Sequence, residues 1–214
     1  MDYKEIMQKE LNEKCKYLQT FGKSYDYDDD DDEDEEADLI ELCTKIINEA
    51  AEIGDLKKIV LIIDKIIPKF GIKINIDAPI NQSNQTPLMS ASREGYPDIV
   101  NFLIKNNANV NAARIYSDSP LILVSGNSIM DKDIQLTIVE SLISAGANIN
   151  HIGDYGITPL MMAIDSNSPK IVSKLLECGA DITIKDKNEY TALDLAREFE
   201  YEDIVQKIME YQLI

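Results

Sequence analysis

Four segments of this chain share a sequence pattern and a spacing that restrict how the chain can fold. They read TPLMSA from Thr86, SPLILV from Ser119, TPLMMA from Thr158 and TALDLA from Thr191, at separations of 33, 39 and 33 residues. An Ile-Val pair follows each start, after thirteen residues in three segments and after nineteen in the segment that begins at Ser119. Three segments are followed by related closing motifs, NNANVNA, AGANINH and CGADITI. This recurrence in a single phase predicts a stack of similar units.

The residue types within one unit predict two antiparallel helices. A Thr or Ser hydroxyl can cap the first turn, and the Pro that follows suits a position where a backbone N–H would lack a partner. Leu88 and Ala91 then share one helix face, while Ile171 begins the apolar stripe of a second helix. Gly179 and Asn107 stand where a helix would end in a left-handed residue. One such pair cannot bury its apolar face alone, so neighbouring units must stack.

These motifs resemble the ankyrin-repeat family, whose 33-residue unit carries a TPLHxA signature. The resemblance implies an all-α solenoid of stacked helix-turn-helix repeats joined by short β-hairpin loops. A divergent unit, AAEIGDLKKIVLII, precedes the four and lacks the Thr-Pro-Leu start, so we expect about five repeats between residues 39 and 214. Their approximate ranges are 39–75, 81–112, 114–150, 153–184 and 186–214.

The amino-terminal part of the chain has a different composition. Nine consecutive acidic residues occupy 28–36, where mutual repulsion opposes a packed core, and we interpret residues 23–38 as a disordered linker. Residues 1–22 are predicted to contain an amphipathic helix. Its apolar face would comprise Ile6, Leu11, Cys15, Leu18 and Phe21.

Charge and composition argue against several classes of function. The net charge is -18, and both the first 38 residues and the remainder are acidic, so nucleic acid binding is not expected. The amino terminus lacks the apolar stretch of a signal peptide, and no apolar run is long enough to span a membrane. We therefore expect a soluble intracellular protein, most simply a cytoplasmic one, although delivery into a host cell stays open.

Catalytic and cofactor motifs are absent from the sequence. It contains no GxSxG, GxxxxGK, HExxH or CxxC, and its single histidine opposes a multi-histidine metal site. The three cysteines, Cys15, Cys43 and Cys178, have no pairing or metal-ligand spacing. We accordingly expect neither an enzyme nor a bound cofactor or metal.

Candidate contact residues follow from the resemblance, which implies that hairpin tips and inner helices form a concave surface that binds proteins. The variable hairpin positions lie four, three and one residues before each signature residue. Three of them are tyrosines, and these rings are favoured interface anchors. An alternative is that the tyrosines only stack on neighbouring hairpins. The predicted contact residues are Ile115, Tyr116, Asp154, Tyr155, Ile157, Lys187, Asn188 and Tyr190.

Two departures from the family pattern are visible. Six extra residues fall within 125–135, between the two helices of one repeat, where an insertion can carry function or simply be tolerated. The signature His position holds Met89, Ile122, Met161 and Asp194, so apolar packing should replace a polar ladder.

Together these observations predict a monomeric, non-catalytic scaffold that binds a partner protein of unknown identity through its concave surface. The alternative is an acidic-tail decoy or chaperone for a basic protein, with the repeats as its targeting arm. Fold alone cannot name the partner.

Overall fold

The computed structural model of the chain describes residues 31–79, 85–113 and 118–213, and the side chains from residue 37 onward. Five helix pairs follow one another in this part of the chain, which confirms the predicted all-α solenoid. The first helices are α1 (Asp31–Ile53), α4 (Pro87–Glu94), α6 (Pro120–Ser125), α8 (Pro159–Asp165) and α10 (Ala192–Glu198). The second helices are α2 (Leu56–Leu61) with α3 (Ile67–Phe70), α5 (Pro97–Lys105), α7 (Lys132–Ser144), α9 (Pro169–Glu177) and α11 (Glu202–Tyr211).

The predicted caps explain where four of the first helices begin. In each, the hydroxyl of the signature Thr or Ser accepts a hydrogen bond of 3.3 Å from a backbone N–H three residues later. Proline occupies the first helical position of α4, α6 and α8, where its missing N–H costs nothing. Left-handed residues are also found at two predicted helix ends, Asn107 and Gly179. The helix boundaries are thus largely set by local chemistry.

Stacking brings first helices onto first helices and second helices onto second helices. The order is α1, α4, α6, α8 and α10 in one layer, and α5, α7, α9 and α11 in the other. Leucine, isoleucine and alanine side chains between the layers form one continuous core. Met89, Ile122 and Met161, at the signature His position, are buried as the sequence predicts. Asp194 instead completes a capping box, since its carboxylate accepts hydrogen bonds from the backbone N–H and hydroxyl of Thr191.

A series of side-chain hydrogen bonds, away from the signature His position, connects neighbouring repeats after their second helices. An Asp or Asn side chain in one repeat accepts a hydrogen bond from a backbone N–H in the next repeat, and we call this series the Asx ladder. Because the side chain and the N–H belong to different repeats, the ladder fixes their register. Its bonds run from Asn109 N to Asp77 Oδ1 (2.9 Å), from Asn148 N to Asn111 Oδ1 (2.7 Å) and from Asp181 N to Asn150 Oδ1 (2.8 Å).

The first repeat is longer than the others. Its second helix continues from α2 through a π-helical turn, Ile62–Ile66, into α3. Pro68 explains the widened turn, because a proline inside a regular α-helix would clash with the carbonyl four residues earlier.

The acidic segment requires a correction. Helix α1 starts at Asp31, so residues 31–38 of the predicted disordered linker are helical. Acidic residues are compatible with the first turns of a helix, because the helix dipole is positive at that end. The remainder of the linker and the predicted helix within residues 1–22 lie outside the described residues.

Regular β-structure is scarce in the connections. Within the described residues the hairpin pairing consists of one antiparallel bridge, between Lys185 and Thr191. The same part of the chain contains no helix long and apolar enough to cross a membrane.

Candidate functional site at the hairpin edge

The loops that precede the first helices of the fourth and fifth repeats lie side by side at one edge of the stack, which we call the hairpin edge. In the fourth repeat this loop closes when Gly153 N donates to Ile157 O at 2.8 Å, around a short 3₁₀ turn at Asp154–Gly156. Tyr155 lies at the tip with φ of 58°, in the left-handed region that a large side chain seldom adopts. Its side chain is 67% exposed. The loop therefore presents an aromatic ring to solvent at some cost in backbone strain.

The hairpin of the fifth repeat supports this ring. Lys187 N donates to Tyr155 O at 2.8 Å, which ties the two loops together. The Lys187 ammonium lies 4.3 Å from the centroid of the Tyr155 ring, a cation–π contact worth about 0.5–1 kcal/mol at an exposed site. Stacking and exposure thus coexist: Lys187 covers part of the ring, and most of it stays accessible.

A buried carboxylate organises the fifth hairpin. Asp186 Oδ1 accepts hydrogen bonds from the backbone N–H of Asn188 (2.8 Å) and of Tyr190 (2.9 Å). Asp186 N also donates to Tyr190 O at 2.9 Å. Such Asx turns fix a tight loop without regular strands. Asn188 is exposed, and Tyr190 is 39% exposed.

The predicted contact residues have different environments. Tyr155, Lys187, Asn188 and Tyr190 come together on the adjacent tips of the fourth and fifth repeats, with Asp154 half-buried at the turn. Ile157 is half-buried and packs against the core. Burial of its apolar surface favours this inward position. Ile115 and Tyr116 lie outside the described residues.

Sequence reasoning missed some apolar residues near this surface. Ile152, just before the fourth hairpin, is 54% exposed. Leu123 and Met162 are half-buried on successive first helices, each four residues after the signature Ser or Thr. The Met162 side chain lies against Gly126, where a β-carbon would collide with its methyl group. A comparison of that single position across the repeats could have identified the pair.

Two carboxylates at the base of the hairpins are held in their charged form. The Thr183 hydroxyl and backbone N–H donate to Asp181 and lower the pKa of that carboxyl. The Thr191 hydroxyl and backbone N–H lower the pKa of Asp194 in the same way. In both cases hydrogen bonds to the ionised form are the leading cause. In the described residues, no group of three or more His, Cys, Asp or Glu side chains is placed to hold a metal ion.

Comparison with known families identifies the class of protein. A family model for ankyrin repeats, in three copies, matches residues 7–114 and 128–213. The chain therefore belongs to the ankyrin-repeat family, whose repeats generally mediate protein–protein interaction. The match begins at residue 7, inside the segment that the sequence analysis set apart from the repeats.

Individual relatives match this chain over only part of their own length. The fowlpox virus ankyrin repeat protein FPV031 is 32% identical over 148 residues, which cover 67% of this chain and 42% of that protein. Human Rabankyrin-5 is 35% identical over 133 residues, 58% of this chain and 11% of that protein. The phosphocholine transferase AnkX of Legionella pneumophila is 28% identical over 114 residues, 53% of this chain and 12% of that protein. The chain thus spans less than half the length of each.

Proposed function

We propose that the chain is a non-catalytic scaffold that binds a partner protein through the hairpin edge and the inner-helix surface of its later repeats. The observation that carries this proposal is the Tyr155 ring, which is mostly exposed although it occupies a strained backbone position. Asparagine or glycine would relieve the strain, so a tyrosine there calls for another reason. Contact with a partner supplies one, because exposed tyrosines with few rotatable bonds are effective anchors.

The arrangement also favours binding energetically. Lys187 and the Asp186 turn restrict the two loops before any partner arrives, so less conformational entropy is lost on association. Tyr155, Tyr190 and Ile152 supply apolar area, and the ammonium and carboxylate groups beside them can set orientation.

A triple variant tests the proposal. Tyr116, Tyr155 and Tyr190 would be replaced by alanine, and partner capture would be compared with that of the wild-type chain. The matched control is Phe199→Ala, because Phe199 is an aromatic residue as exposed as Tyr190 but lies in the turn between two helices. We expect the triple variant to recover at least tenfold less partner protein than the wild type, and the control to recover as much as the wild type. Equal recovery by all three proteins would refute the proposal.

The acidic-tail alternative can be separated in the same assay. Six of the nine acids continue into helix α1, so deletion of the amino terminus would also damage the first repeat. Replacement of Asp28–Glu36 by asparagine and glutamine removes the charge while retaining the length. If this variant loses its partners and the tyrosine variant does not, the chain acts through its acidic run.

A further inference from the structure

The turns that join the two helices of each repeat form the opposite edge of the stack, which we call the turn edge. In the first two repeats, each turn is covered by a side chain from the next repeat. The Tyr96 ring lies over Gly54, where a β-carbon would come within 2.6 Å of a ring carbon. The Met130 side chain lies over Gly95 in the same way, 3.2 Å from such a carbon. These contacts place Tyr96 and Met130 in one line across the repeats.

Exposed isoleucines extend this line at both ends. Ile53, next to Gly54, is 62% exposed, and Ile129, next to Met130, is 94% exposed. We call Ile53, Tyr96, Ile129 and Met130 the apolar stripe. Single exposed apolar residues are ordinary, but a row that continues across three repeats is typical of an interaction surface.

The inserted loop holds Ile129 in place. Asn127 Nδ2 donates to Arg93 O in the preceding repeat at 2.7 Å, and Asn127 Oδ1 accepts from the backbone N–H of Ile129 and of Met130. The buried Gln135 amide donates to three carbonyl oxygens of the same turn, the shortest at 2.7 Å from Val124 O. Since the loop is tied to two helices and a neighbouring repeat, the exposure of Ile129 is built into the fold.

Acidic residues border the apolar stripe. The three turns, residues 52–58, 93–98 and 126–133, carry six acids and four bases. Three of the bases are engaged locally: Lys58 with Asp55 at 3.2 Å, Arg93 with Glu94 at 2.7 Å, and the Lys132 ammonium with Ser168 Oγ at 2.7 Å. Asp133 pairs with Lys170 at 2.6 Å and the Glu52 carboxylate lies 3.9 Å from the Arg93 guanidinium, while Asp98 and Asp131 remain exposed along the edge. The border therefore favours a basic partner.

The stripe is confined to the first three repeats. In the fourth repeat the turn consists of Ser166, Asn167 and Ser168, and the hydroxyls of the two serines donate hydrogen bonds within the fold. Adjacent helices pack about 8–10 Å apart, so a surface across three repeats measures roughly 20 Å. An α-helix of about 14 residues has that length.

We propose that the apolar stripe binds one face of an amphipathic helix of a partner protein, with basic residues flanking the apolar face of that helix. The length of the stripe, its apolar centre and its acidic border all fit this mode of recognition. The inference goes beyond the proposed function, because it assigns a second surface on the edge opposite the hairpins.

The test uses two synthetic 14-residue peptides of leucine and lysine. In one, leucines recur at helical spacing on a single face; in the other, the same residues are scrambled. Binding to the full chain is measured by fluorescence anisotropy at physiological salt. The stripe variant is I53S/I129S, and the matched control is M209S/L213S, which removes two exposed apolar side chains of the last repeat. Thermal unfolding verifies that both variants are folded.

We expect the wild type and the control to bind the amphipathic peptide at least tenfold more tightly than the scrambled one. The stripe variant should lose at least tenfold in affinity. Failure of the wild type to bind, equal affinity for the two peptides, or an unchanged affinity in the stripe variant would overturn the inference. A wild-type dimer in sedimentation that I53S/I129S converts to a monomer would also overturn it, by showing that a second copy occupies the stripe.

Discussion

The two edges of the stack join neighbouring repeats by different interactions. At the turn edge, side chains of one repeat cover the turns of the repeat before it, as Tyr96 does over Gly54. At the hairpin edge, the Asx ladder links side chains to backbone N–H groups, as between Asn111 and Asn148. The ladder lies at the base of the hairpins, and most of the Tyr155 ring at the tip of the fourth hairpin stays exposed.

This difference determines which substitutions at each edge would alter binding alone and which would also alter stability. At the hairpin tip the repeats are joined through the backbone of Tyr155, whereas most of its side chain is exposed and can be selected for binding. Residues at the turn edge both stack the repeats and face solvent, so a change there affects stability as well as recognition. The extra residues at the turn edge follow a turn whose carbonyl groups accept hydrogen bonds from the buried Gln135 amide.

The largest loss of stability is expected when the glycine in a covered turn is replaced by a residue with a β-carbon. Gly54→Ala introduces a methyl group at φ of 82° and against the Tyr96 ring, so we expect a loss of about 3 kcal/mol in the free energy of unfolding. Gly179→Ala, at φ of 90° with no atom within 4 Å of the new methyl group, should lose about 1 kcal/mol. Urea denaturation measures both. Equal losses in the two variants would show that the contact of Tyr96 with Gly54 adds nothing to the cost of the substitution.

The next largest loss of stability is expected from a substitution at the inserted turn. Gln135→Ala removes the donor for three carbonyl groups around a buried site, and we expect a loss of about 2 kcal/mol. Thr137→Ala, on the exposed face of the same helix, is the control and should lose less than about 0.5 kcal/mol. Denaturant midpoints provide the comparison. If the two variants lose the same amount, the buried amide does not stabilise the insertion.

A smaller effect is expected from the hairpin edge. Asn111→Ala removes the acceptor for Asn148 N and the donor to Gly146 O, both partly solvated, so the loss should be about 1 kcal/mol. Asn101→Ala, exposed on helix α5, serves as the control and should be nearly neutral. Thermal unfolding followed by circular dichroism is sufficient. A loss as large as that of Gly54→Ala would mean that the ladder dominates repeat stacking.

The smallest effect concerns pH. Hydrogen bonds from Thr191 lower the pKa of Asp194, so its carboxylate stabilises the fold above about pH 4 and this contribution disappears as pH falls through the folded pKa. Asp194→Asn should cost less than about 1 kcal/mol at pH 7, and its difference from the wild type should narrow at pH 3. Urea denaturation at the two pH values gives the result. If the stability difference between Asp194→Asn and the wild type were larger at pH 3 than at pH 7, the ionised carboxylate would not be the form that stabilises the fold.

Much of the fold follows from the sequence, because caps, prolines and the 33-residue period act locally or between adjacent repeats. The hydroxyl caps at Thr86 and Thr158 and the left-handed Gly179 could be predicted in this way. The helical part of the acidic segment could not, since charge repulsion alone gives no information on where α1 begins. The cover of Gly54 by Tyr96 depends on contacts between repeats that no periodicity encodes.

The candidate site was predicted less completely. The register placed Tyr155, Lys187 and Tyr190 on adjacent hairpins, but the cation–π pair depends on side-chain geometry. The packing of Ile157 against the core could not be predicted, because the repeat spacing fixes its position in the loop and not the direction of its side chain. The exposed Ile152 was missed since it precedes the hairpin positions that the family pattern marks.

The central claim is that the hairpin edge contacts the partner. A photo-crosslinking amino acid at Tyr155, introduced in cells that naturally produce the chain, tests it most directly, with the same residue at the exposed Gln206 of helix α11 as the matched position. Binding at the hairpin edge predicts a discrete crosslinked protein from position 155 that position 206 does not yield. The same product at equal yield from both positions, or a product from position 206 alone, would contradict the claim.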